Sequence, residues 1–262
     1  MKTIVITGST RGIGFGLAQS FLSLDCAVTI SGRSAQSVDA AVATLAESHK
    51  RDRILGQPCD VRDFQEVQAL WDSAKTRFGN VDIWINNAGV NDTRLAFWQL
   101  SPDQIRAGVE TNLIGAMNGS AVAINGMLGQ GHGAIYNMEG LGSNGRHISG
   151  LTLYGTTKYG LAYLTDALAD ETKATPVIVG AIRPGMVVTE LLTKPFDGKP
   201  AEWERAKRMF NLLAERVETV TPWIARKVLA NTSSGTRIQW LTRSRIFVRM
   251  LSAPFSRRDL FR

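Results

Sequence analysis

Tyr154 and Lys158 are the residues whose types and spacing best suit catalysis in this chain. They lie four positions apart in the segment YGTTK, so on a helix they share one face. A free phenol has a pKa of about 10, too high for ready proton exchange at neutral pH. We expect the Lys158 ammonium to lower the pKa of Tyr154 and make it a general acid or base. An exposed Tyr and Lys on an ordinary amphipathic helix are the alternative.

A second candidate site is the glycine-rich segment TGSTRGIG, with Gly8, Gly12 and Gly14. It follows a run of β-branched residues, Ile4–Ile6, and precedes an apolar repeat of helical period. Glycine allows a sharp turn and the close approach of a diphosphate, and the next helix begins with unpaired N–H groups. The segment therefore predicts a dinucleotide site. A glycine-rich turn without a ligand is the alternative.

The residues around the predicted ribose pocket indicate which dinucleotide binds. Enzymes of this architecture that use NAD usually carry an acidic residue at the end of the second strand. Here that place reads Ser31–Ser34, without an acid, and Arg11 lies inside the glycine-rich segment. Guanidinium groups of Arg11 and Arg33 converging on the ribose suit a 2′-phosphate, which predicts NADP(H). Two solvated arginines are the alternative.

The chain alternates strands and helices at the pace of βαβ units. Predicted strands are 4–6, 27–31, 53–58, 81–86, 134–138, 177–182 and 237–241, and predicted helices include 35–50, 64–78, 101–128, 152–172 and 222–229. The alternation predicts an α/β fold, a Rossmann-type doubly wound parallel sheet of about seven strands in one domain, residues 1–242. Residues 189–218 are predicted as a helical, apolar substrate lid.

Polar residues and glycines follow six of the predicted strands. In such sheets the ligand binds beyond the carboxyl ends of the strands. The residues at those ends are Gly8, Gly32-Arg33, Cys59-Asp60, Asn87-Ala88-Gly89, Glu139-Gly140 and Pro184-Gly185. We therefore expect these six segments to meet in one site.

The composition is that of a soluble globular enzyme, with 44% hydrophobic and 20% charged residues. No apolar run approaches the ~20 residues of a membrane-spanning helix. Cys26 and Cys59 both fall in predicted strands, which favours a reduced interior without a disulfide or metal site. Because Met1 leads almost directly into the first strand, no signal or transit peptide and a cytoplasmic location are expected.

Most of the net charge lies in the C-terminal segment. From position 237 onward there are seven arginines and one acidic residue, so six of the seven net positive charges lie there, and no nucleic-acid partner is expected for the main body. On a helix, one side of the extension 243–262 would carry Phe247 and Leu251 together with the preceding Trp240, and the other Arg245 and Arg249. This pattern is typical of a segment that contacts an anionic membrane. Packing on another subunit or on the chain's own core is the alternative.

Taken together, the ordered motifs resemble the short-chain dehydrogenase/reductase family: TGSTRGIG, NNAG at 86–89, Asn112, YGTTK at 154–158 and RPGMVVT at 183–189. The resemblance implies an NADP-dependent oxidoreductase in which Tyr154 donates a proton to the carbonyl oxygen as hydride arrives. It also implies that Lys158 holds the nicotinamide ribose and that Asn112 supports a water relay. The cofactor contacts that it implies, besides Tyr154 and Lys158, are Gly8, Ser9, Arg11, Gly12, Ile13, Gly14, Arg33, Asp60, Val61, Asn87, Ala88, Gly89, Pro184, Gly185, Val187 and Thr189.

The serine position departs from the family pattern. The family usually places a serine hydroxyl on a segment such as NISS before the tyrosine, but Leu141 stands at that spacing here. Ser143 is the nearby hydroxyl on the correct side, and Gly140 and Gly142 would allow its loop to reach the substrate oxygen. Ser143 is therefore the fourth predicted catalytic residue. The alternative is that no serine acts and activity is weak or absent.

Several segments resemble chlorophyll b reductases more than other members of the family. They are YNMEGLGS, YGTTKYGL, RPGMVVTELL, FNLLAERVETV, WLT and SRIF. The chain also continues past the last strand, as chlorophyll b reductases do. The resemblance implies NADPH reduction of a formyl group on a chlorin ring to a hydroxymethyl group, hence a small hydrophobic carbonyl substrate.

Two other functions remain open from the sequence. A general keto or 3-oxoacyl reductase, or an alcohol dehydrogenase, would use the same catalytic residues. An NADP-binding sensor or scaffold with little catalysis is favoured by the displaced serine, but Tyr154, Lys158 and Asn112 argue against it. The resemblance also implies a homodimer or homotetramer formed through the helices that carry Asn112 and Tyr154.

Overall fold

Seven parallel strands form one sheet in a computed structural model that describes residues 1–91, 94–252 and 258–261. The strands are β1 (Thr3–Ile6), β2 (Ala27–Gly32), β3 (Ile54–Pro58), β4 (Ile83–Asn86), β5 (Gly133–Met138), β6 (Val177–Arg183) and β7 (Arg237–Gln239). Their order is β3-β2-β1-β4-β5-β6-β7 and every neighbouring pair is parallel. The predicted doubly wound sheet is therefore confirmed.

Helices cover both faces of the sheet. They are α1 (Gly12–Leu22), α2 (Ala35–Ala46), α3 (Phe64–Phe78), α4 (Pro102–Val109), α5 (Gly115–Gln130), α6 (Thr152–Glu171), α7 (Glu190–Thr193), α8 (Pro200–Leu213), α9 (Val217–Ala230) and α10 (Arg243–Ser252). One core cluster contains residues of α1, α2 and α9, and a second contains residues of α3 and α5. Successive strand residues point to opposite faces, so Ile4 and Ile6 join the first cluster and Val5 joins the second.

The strand order reverses between β1 and β4. The chain leaves β1 toward β2 and β3 on one side, and β4 begins the series that runs to β7 on the other. The loops after β1 and β4 therefore diverge and leave a crevice at the carboxyl edge of the sheet. The glycine-rich segment and the NNAG segment flank this crevice, as the six polar strand ends led us to expect.

The structure corrects several element boundaries. The helix predicted over 101–128 is interrupted by a π-helical turn, Glu110–Ile114, between α4 and α5. The lid predicted over 189–218 is not one helix: α7, a 3-10 turn at Lys194–Phe196 and α8 make it up, and α9 begins at Val217. Cys26 and Cys59 are buried and free, but they flank β2 and β3 instead of lying within them.

The lid and the C-terminal segment pack on one another. Phe196 and Phe210 form the centre of a third apolar cluster, which Trp203 and Phe261 join. The rings of Trp203 and Phe261 meet edge to face at 4.9 Å. An edge-to-face pair of this kind contributes more than its buried area alone, so the chain end supports the lid.

The C-terminal helix differs from the amphipathic arrangement predicted. Trp240 precedes α10 and packs against Trp223 at 5.3 Å, and the Arg245 guanidinium lies 3.8 Å from the centre of the Trp240 ring. Arg249 pairs with Glu215. These two arginines thus face the domain, and the side chains that face outward are Phe247, Val248, Met250 and Leu251.

Part of the predicted tail cannot be compared with the structure. The residues Phe255, Arg257 and Arg262 lie outside the described residues. Among the helices that the structure describes, none is long and apolar enough to cross a membrane.

Candidate active site

The glycine-rich loop packs directly against the NNAG segment. Gly8 has a φ of +60°, and a Cβ there would lie 2.7 Å from the Ala88 Cα. A Cβ on Gly14 would lie 2.5 Å from the side-chain nitrogen of Asn87. Both distances are too short for any side chain, so glycine is required at these positions and the two loops form one surface.

Thr7 and Asn87 lock these loops together. The Thr7 hydroxyl accepts hydrogen bonds from the amides of Asn87 and Ala88 at 3.0 and 3.1 Å. The Asn87 side-chain amide donates to the carbonyls of Thr7 and Gly8, both at 2.9 Å. Thr7 did not appear among the predicted site residues, although its position before Gly8 is visible in the motif.

Ser9 has a structural role instead of an open binding position. Its hydroxyl donates to the Ile6 carbonyl at 2.6 Å and accepts from the Ser31 amide at 2.9 Å. The side chain is fully buried. Its backbone amide also donates to the Ser31 carbonyl at 2.8 Å, so Ser9 joins the ends of β1 and β2.

The start of α1 fits a diphosphate. The N-termini of α2, α3 and α4 are capped by the side chains of Ser34, Asp63 and Ser101. The N-terminus of α1 has Arg11 at that position, with no side-chain cap and no acidic residue in the first turn. Helix-start amides without a cap need an external acceptor. Together with the glycine cradle, they form a surface on which a dinucleotide diphosphate fits.

The predicted adenosine end of the site is more open. A Cβ on Gly32 would lie 2.8 Å from the Thr10 methyl group, so the segments that carry Arg33 and Arg11 are neighbours. The Arg11 guanidinium pairs with Glu190 of α7 at 2.5 Å, and Arg33 is exposed. The two guanidinium groups therefore share a rim, but the structure does not show them converging.

Asp60 lies beside this rim. Arg62 binds its carboxylate at 2.6 Å and, mainly through that hydrogen bond, lowers the pKa of Asp60. The side chain of this predicted cofactor contact is thus bound by a neighbouring arginine.

The other predicted contacts line the same edge of the sheet. Gly12 faces the Thr189 methyl group at 3.5 Å, measured from a Cβ built on the glycine. Val187 is buried and forms a bridge with Glu215, and Gly185 has a φ of +76°. Of the remaining predicted contacts, Val61 and Pro184 are buried, and Ile13, Ala88 and Gly89 are half-buried.

Tyr154 and Lys158 share one side of α6, as predicted. The Lys158 Nζ lies 5.7 Å from the centre of the Tyr154 ring and donates to the Met138 carbonyl at 2.9 Å. Burial raises the pKa of Tyr154 to about 12 and lowers the pKa of Lys158 to about 8. The expectation that Lys158 lowers the pKa of Tyr154 is therefore wrong for this structure. Loss of water contact outweighs the charge of an ammonium that is bound to Met138.

Asn112 reaches the site through the π-helical turn. Its side-chain oxygen accepts from the Val90 amide at 2.7 Å, and its side-chain nitrogen donates to the Val90 carbonyl at 3.0 Å and to the Thr157 hydroxyl at 3.2 Å. A Cβ on Gly89 would lie 3.4 Å from the Asn112 oxygen and 3.7 Å from the Lys158 nitrogen. Asn112 and Lys158 therefore meet at Gly89, close enough for a water between them.

Gly140 faces the Tyr154 hydroxyl. A Cβ on Gly140 would lie 2.4 Å from that oxygen. Ser143 follows in a turn in which its amide donates to the Gly140 carbonyl at 3.1 Å. Ser143 is buried, and its hydroxyl has no hydrogen-bond partner among the described residues. It is thus uncommitted, whereas the position next to the phenol has no side chain.

Sequence reasoning missed the role of Glu139. Its carboxylate is completely buried and binds Arg183 and Arg237, the latter at 3.1 Å. Arg237 also binds Asp166 of α6 at 2.7 Å. These ion pairs join the ends of β5, β6 and β7 to the catalytic helix. The signal was a charged residue where a strand of buried residues ends, directly before Gly140.

Comparisons with known proteins agree with this geometry. Residues 2–199 match the short chain dehydrogenase family. The chain is 35% identical over 268 residues to a probable chlorophyll(ide) b reductase of Oryza sativa subsp. japonica, covering 96% of this chain and 52% of that protein. It is also 35% identical over 258 residues to a chlorophyll(ide) b reductase of the same organism, covering 95% and 74%. The chain thus spans about half the length of the first relative.

A solved structure shows the same fold. The closed form of serine dehydrogenase complexed with NADP⁺ superposes with a TM-score of 0.80 at 22% identity, covering 92% of this chain and 95% of that chain. The family match over residues 2–199 and the 35% identity to the second relative therefore show that the chain belongs to the short-chain dehydrogenase/reductase family.

Proposed function

We propose that this protein is an NADPH-dependent carbonyl reductase that reduces the formyl group of chlorophyll(ide) b to a hydroxymethyl group. The reductase part depends on one observation: Tyr154 and Lys158 share one side of α6, with the Lys158 Nζ 5.7 Å from the centre of the Tyr154 ring. Burial raises the pKa of Tyr154 to about 12, so the phenol keeps its proton at neutral pH. A protonated phenol can donate to a carbonyl oxygen. The substrate part is supported by the 35% identity to two plant chlorophyll(ide) b reductases over nearly all of this chain.

The chain's own residues account for the proton and the orientation of the substrate. The glycine cradle and the uncapped start of α1 would hold NADPH, which would supply the hydride for the carbonyl carbon. Tyr154 gives its proton to the oxygen, so that the aldehyde becomes a primary alcohol, and the Lys158 ammonium stabilises the phenolate that is left. Ser143 is the candidate donor to the same oxygen, and Asn112 and Gly89 hold a water path to Lys158. The apolar lid excludes bulk water.

Two features favour NADPH over NADH. No acidic side chain follows β2, where ribose hydroxyls are usually bound in NAD enzymes. Arg33 lies there, exposed and close enough to Asp60 to contribute to the lowering of its pKa. Arg11 lies on the same rim. We expect NADPH to bind at least about tenfold more tightly than NADH, about 1.4 kcal/mol, and replacement of both arginines by alanine to remove most of that preference.

The test is turnover with NADPH and a panel of carbonyl compounds: chlorophyll b, chlorophyllide b, simple ketones and a 3-oxoacyl thioester. Chromatography should show the hydroxymethyl chlorin as product. Reduction of only the ketones or the thioester would replace the proposal by a general keto or 3-oxoacyl reductase. Binding of NADPH without turnover of any compound would favour a sensor or scaffold. The absence of a side chain at Gly140, which faces the Tyr154 hydroxyl, also favours that alternative.

The Tyr154→Phe variant is the control for that assay. The ring remains, so NADPH binding should persist, but turnover should be abolished because no transferable proton is left. The exposed Tyr159 of the same helix provides a matched change, and Tyr159→Phe should leave turnover intact. Substantial activity of Tyr154→Phe would mean that another group donates the proton.

We also propose that the protein forms a homodimer or homotetramer in the cytoplasm. The exposed tyrosines of α6 and the exposed Met117 and Leu128 of α5 support this assembly. We propose that the C-terminal segment contacts a membrane or another chain through the outward apolar side of α10. Arg245 and Arg249 face the domain, so they would not make this contact. Sedimentation with anionic liposomes tests that contact.

A further inference from the structure

A cavity of about 720 Å³ opens beside the lid. Three chain segments line it: the one after β4, the one before α6, and the lid itself. Its wall residues are Arg94, Leu95, Ala96, Gln99, Ser149, Gly150, Phe196, Lys199, Glu202, Arg205, Ala206 and Met209. Residues 149–150 directly precede α6 (Thr152–Glu171), the helix that carries Tyr154, so one wall of the cavity adjoins the start of the catalytic helix.

The charges in this cavity are unbalanced. Three of its residues are basic, Arg94, Lys199 and Arg205, and one, Glu202, is acidic. None of the three cations forms an ion pair with any of the residues that the structure describes. Arg94 and Lys199 are half-buried, and cationic groups that lose water contact without a counter-ion are costly. An anion in the cavity would relieve that cost.

Local contacts hold two of these cations in place. The Lys199 Nζ donates to the Arg94 backbone carbonyl at 2.9 Å, and the Arg94 guanidinium lies 5.5 Å from the centre of the Phe196 ring. A Cβ on Gly150 would lie 2.8 Å from the Arg94 Cγ, so the arginine stem is packed against the start of the catalytic helix. The charged groups are therefore positioned before any ligand arrives.

The rest of the wall is largely apolar. Leu95, Phe196 and Met209 present carbon surface between the cationic groups. A ligand that satisfies both features has an apolar body and an anionic group at its edge. Guanidinium and ammonium groups recognise carboxylates through charge-assisted hydrogen bonds.

We propose that this cavity is a carboxylate subsite, so that the enzyme selects apolar carbonyl compounds that carry a free carboxylate. The inference rests on the proposed function, because it concerns the substrate of that same site. For a chlorin, the free propionate of chlorophyllide b would bind between Lys199 and Arg205, and the esterified side chain of chlorophyll b would not. The subsite thus makes the acid, not the ester, the preferred substrate.

The experiment compares acids with their own methyl esters. The pairs are chlorophyllide b with its methyl ester, and 4-carboxybenzaldehyde with methyl 4-formylbenzoate. Binding is followed by quenching of tryptophan fluorescence, because Trp203 packs against Phe196 at 5.8 Å, and turnover is followed by NADPH absorbance. We expect each acid to have a kcat/KM about tenfold or more above that of its ester, and the difference to shrink at high salt.

Variants assign the preference to named residues. In the double variant Lys199→Gln with Arg205→Gln, the kcat/KM of each acid should fall to about that of its ester. Arg208→Gln, an exposed position of the same helix outside the cavity wall, is the matched control, and Lys199→Arg should retain the preference. Equal binding of acid and ester by the unmodified protein, or an unchanged preference in the double variant, would overturn the proposal.

The two substrate pairs separate this inference from the proposed function. If neither chlorin is reduced but the benzaldehyde acid is preferred, the carboxylate subsite stands and the chlorin assignment falls. If both chlorins are reduced equally well, the chlorin assignment stands and the subsite falls. Should the double variant not fold, the acid and ester affinities of the unmodified protein decide the matter.

Discussion

Tyr154 is half-buried and Lys158 is buried in the folded chain, and the pKa of each responds according to its charge. The phenol is neutral when protonated, so burial raises its pKa to about 12. The ammonium is charged when protonated, so burial lowers its pKa to about 8. At neutral pH the pair is a protonated phenol beside an ammonium. This combination suits proton donation during reduction.

Glu139, directly after β5, affects the pKa of Lys158. Its carboxylate raises the pKa of Lys158 against the larger effect of burial. Arg183 from β6 and Arg237 from β7 face the same carboxylate, and Asp166 of α6 faces Arg237. Because Glu139 precedes Gly140, it also positions the backbone against the Tyr154 hydroxyl.

We predict that Glu139→Gln moves the alkaline limb of the reduction profile to lower pH by about one unit. Without the carboxylate the Lys158 ammonium loses a stabilising negative charge, so the pKa of Lys158 falls below about 8. The positive charge is then lost at a lower pH. The free energy of unfolding should fall by about 3 kcal/mol, because Arg183 and Arg237 lose a buried partner.

Asp166→Asn is the control for that measurement. It removes the outer, largely exposed carboxylate bound to Arg237 and should leave the pH profile in place. A purely structural role of Glu139 would lower stability without moving the limb. An unshifted profile in a folded Glu139→Gln protein would therefore contradict the prediction.

Ser143 remains a prediction as the working serine. Ser143 is buried and its hydroxyl is uncommitted among the described residues, whereas Gly140 lies against the Tyr154 hydroxyl and has no side chain to donate. We expect Ser143→Ala to lower kcat by roughly 100-fold, the effect of removing one donor to a developing oxyanion. Thr152→Ala, an exposed change at the start of α6, should have little effect. Kinetics of Ser143→Ala equal to those of the unmodified protein would show that no serine acts.

Between elements, the strongest new connection is the one from the C-terminal segment to the lid. Glu215, in the short link between α8 and α9, binds Arg249 of α10 and Arg258, the latter at 2.6 Å. Leu260 donates its amide to Asn211 at 2.9 Å. The sequence predicted that this segment contacts an anionic membrane, with packing on another subunit or on the chain's own core as the alternative. These contacts instead make it a support for the lid.

Truncation after Thr242 should therefore raise KM for the carbonyl substrate several-fold and lower Tm. The lid loses the Glu215 ion pairs and the Phe261 ring, so its packing on the domain becomes less stable. Leu251→Ser on the outward side of α10 is the matched change and should leave both quantities unaltered. If the truncated protein kept the original KM and Tm, the tail would not support the lid, and the docking role would be favoured instead.

At the scale of the whole molecule, the exposed aromatic side chains on the catalytic helix indicate a surface for association. Tyr159 and Tyr163 are 59% and 77% exposed on α6, so the part of the chain that the structure describes leaves this side of the helix uncovered. Aromatic side chains grouped on a surface are typical of interfaces. Pairing of this face between copies would also hold the catalytic helix rigid.

We predict that Tyr163→Glu shifts the protein toward the monomer. A charge placed in an apolar contact must be desolvated, which opposes association. Analytical ultracentrifugation at several protein concentrations measures the shift. Phe247→Glu, a matched change on the exposed side of α10, should leave the association unaltered. A monomeric unmodified protein, or one whose association Tyr163→Glu does not weaken, would show that the assembly proposal is wrong.

The sequence by itself determined the fold and most of the candidate site. Three of the signals are local: the glycine spacing, the alternation of strand and helix patterns, and the interval between Tyr154 and Lys158. Local sterics and periodicity determine their structural meaning independently of the tertiary fold. The seven-stranded parallel sheet and the meeting of the strand-end motifs follow from these patterns. The order of the motifs was sufficient to identify the family.

Only the tertiary structure decided how the predicted groups behave. The pKa of Tyr154 depends on burial, the partner of Arg11 is Glu190, and two arginines of α10 turn inward to Glu215 and Trp240. Each of these results involves residues far apart in the chain, whose distances no local pattern encodes. The role of Glu139 is of the same kind, since its two arginines come from β6 and β7 and meet it only when the sheet has formed.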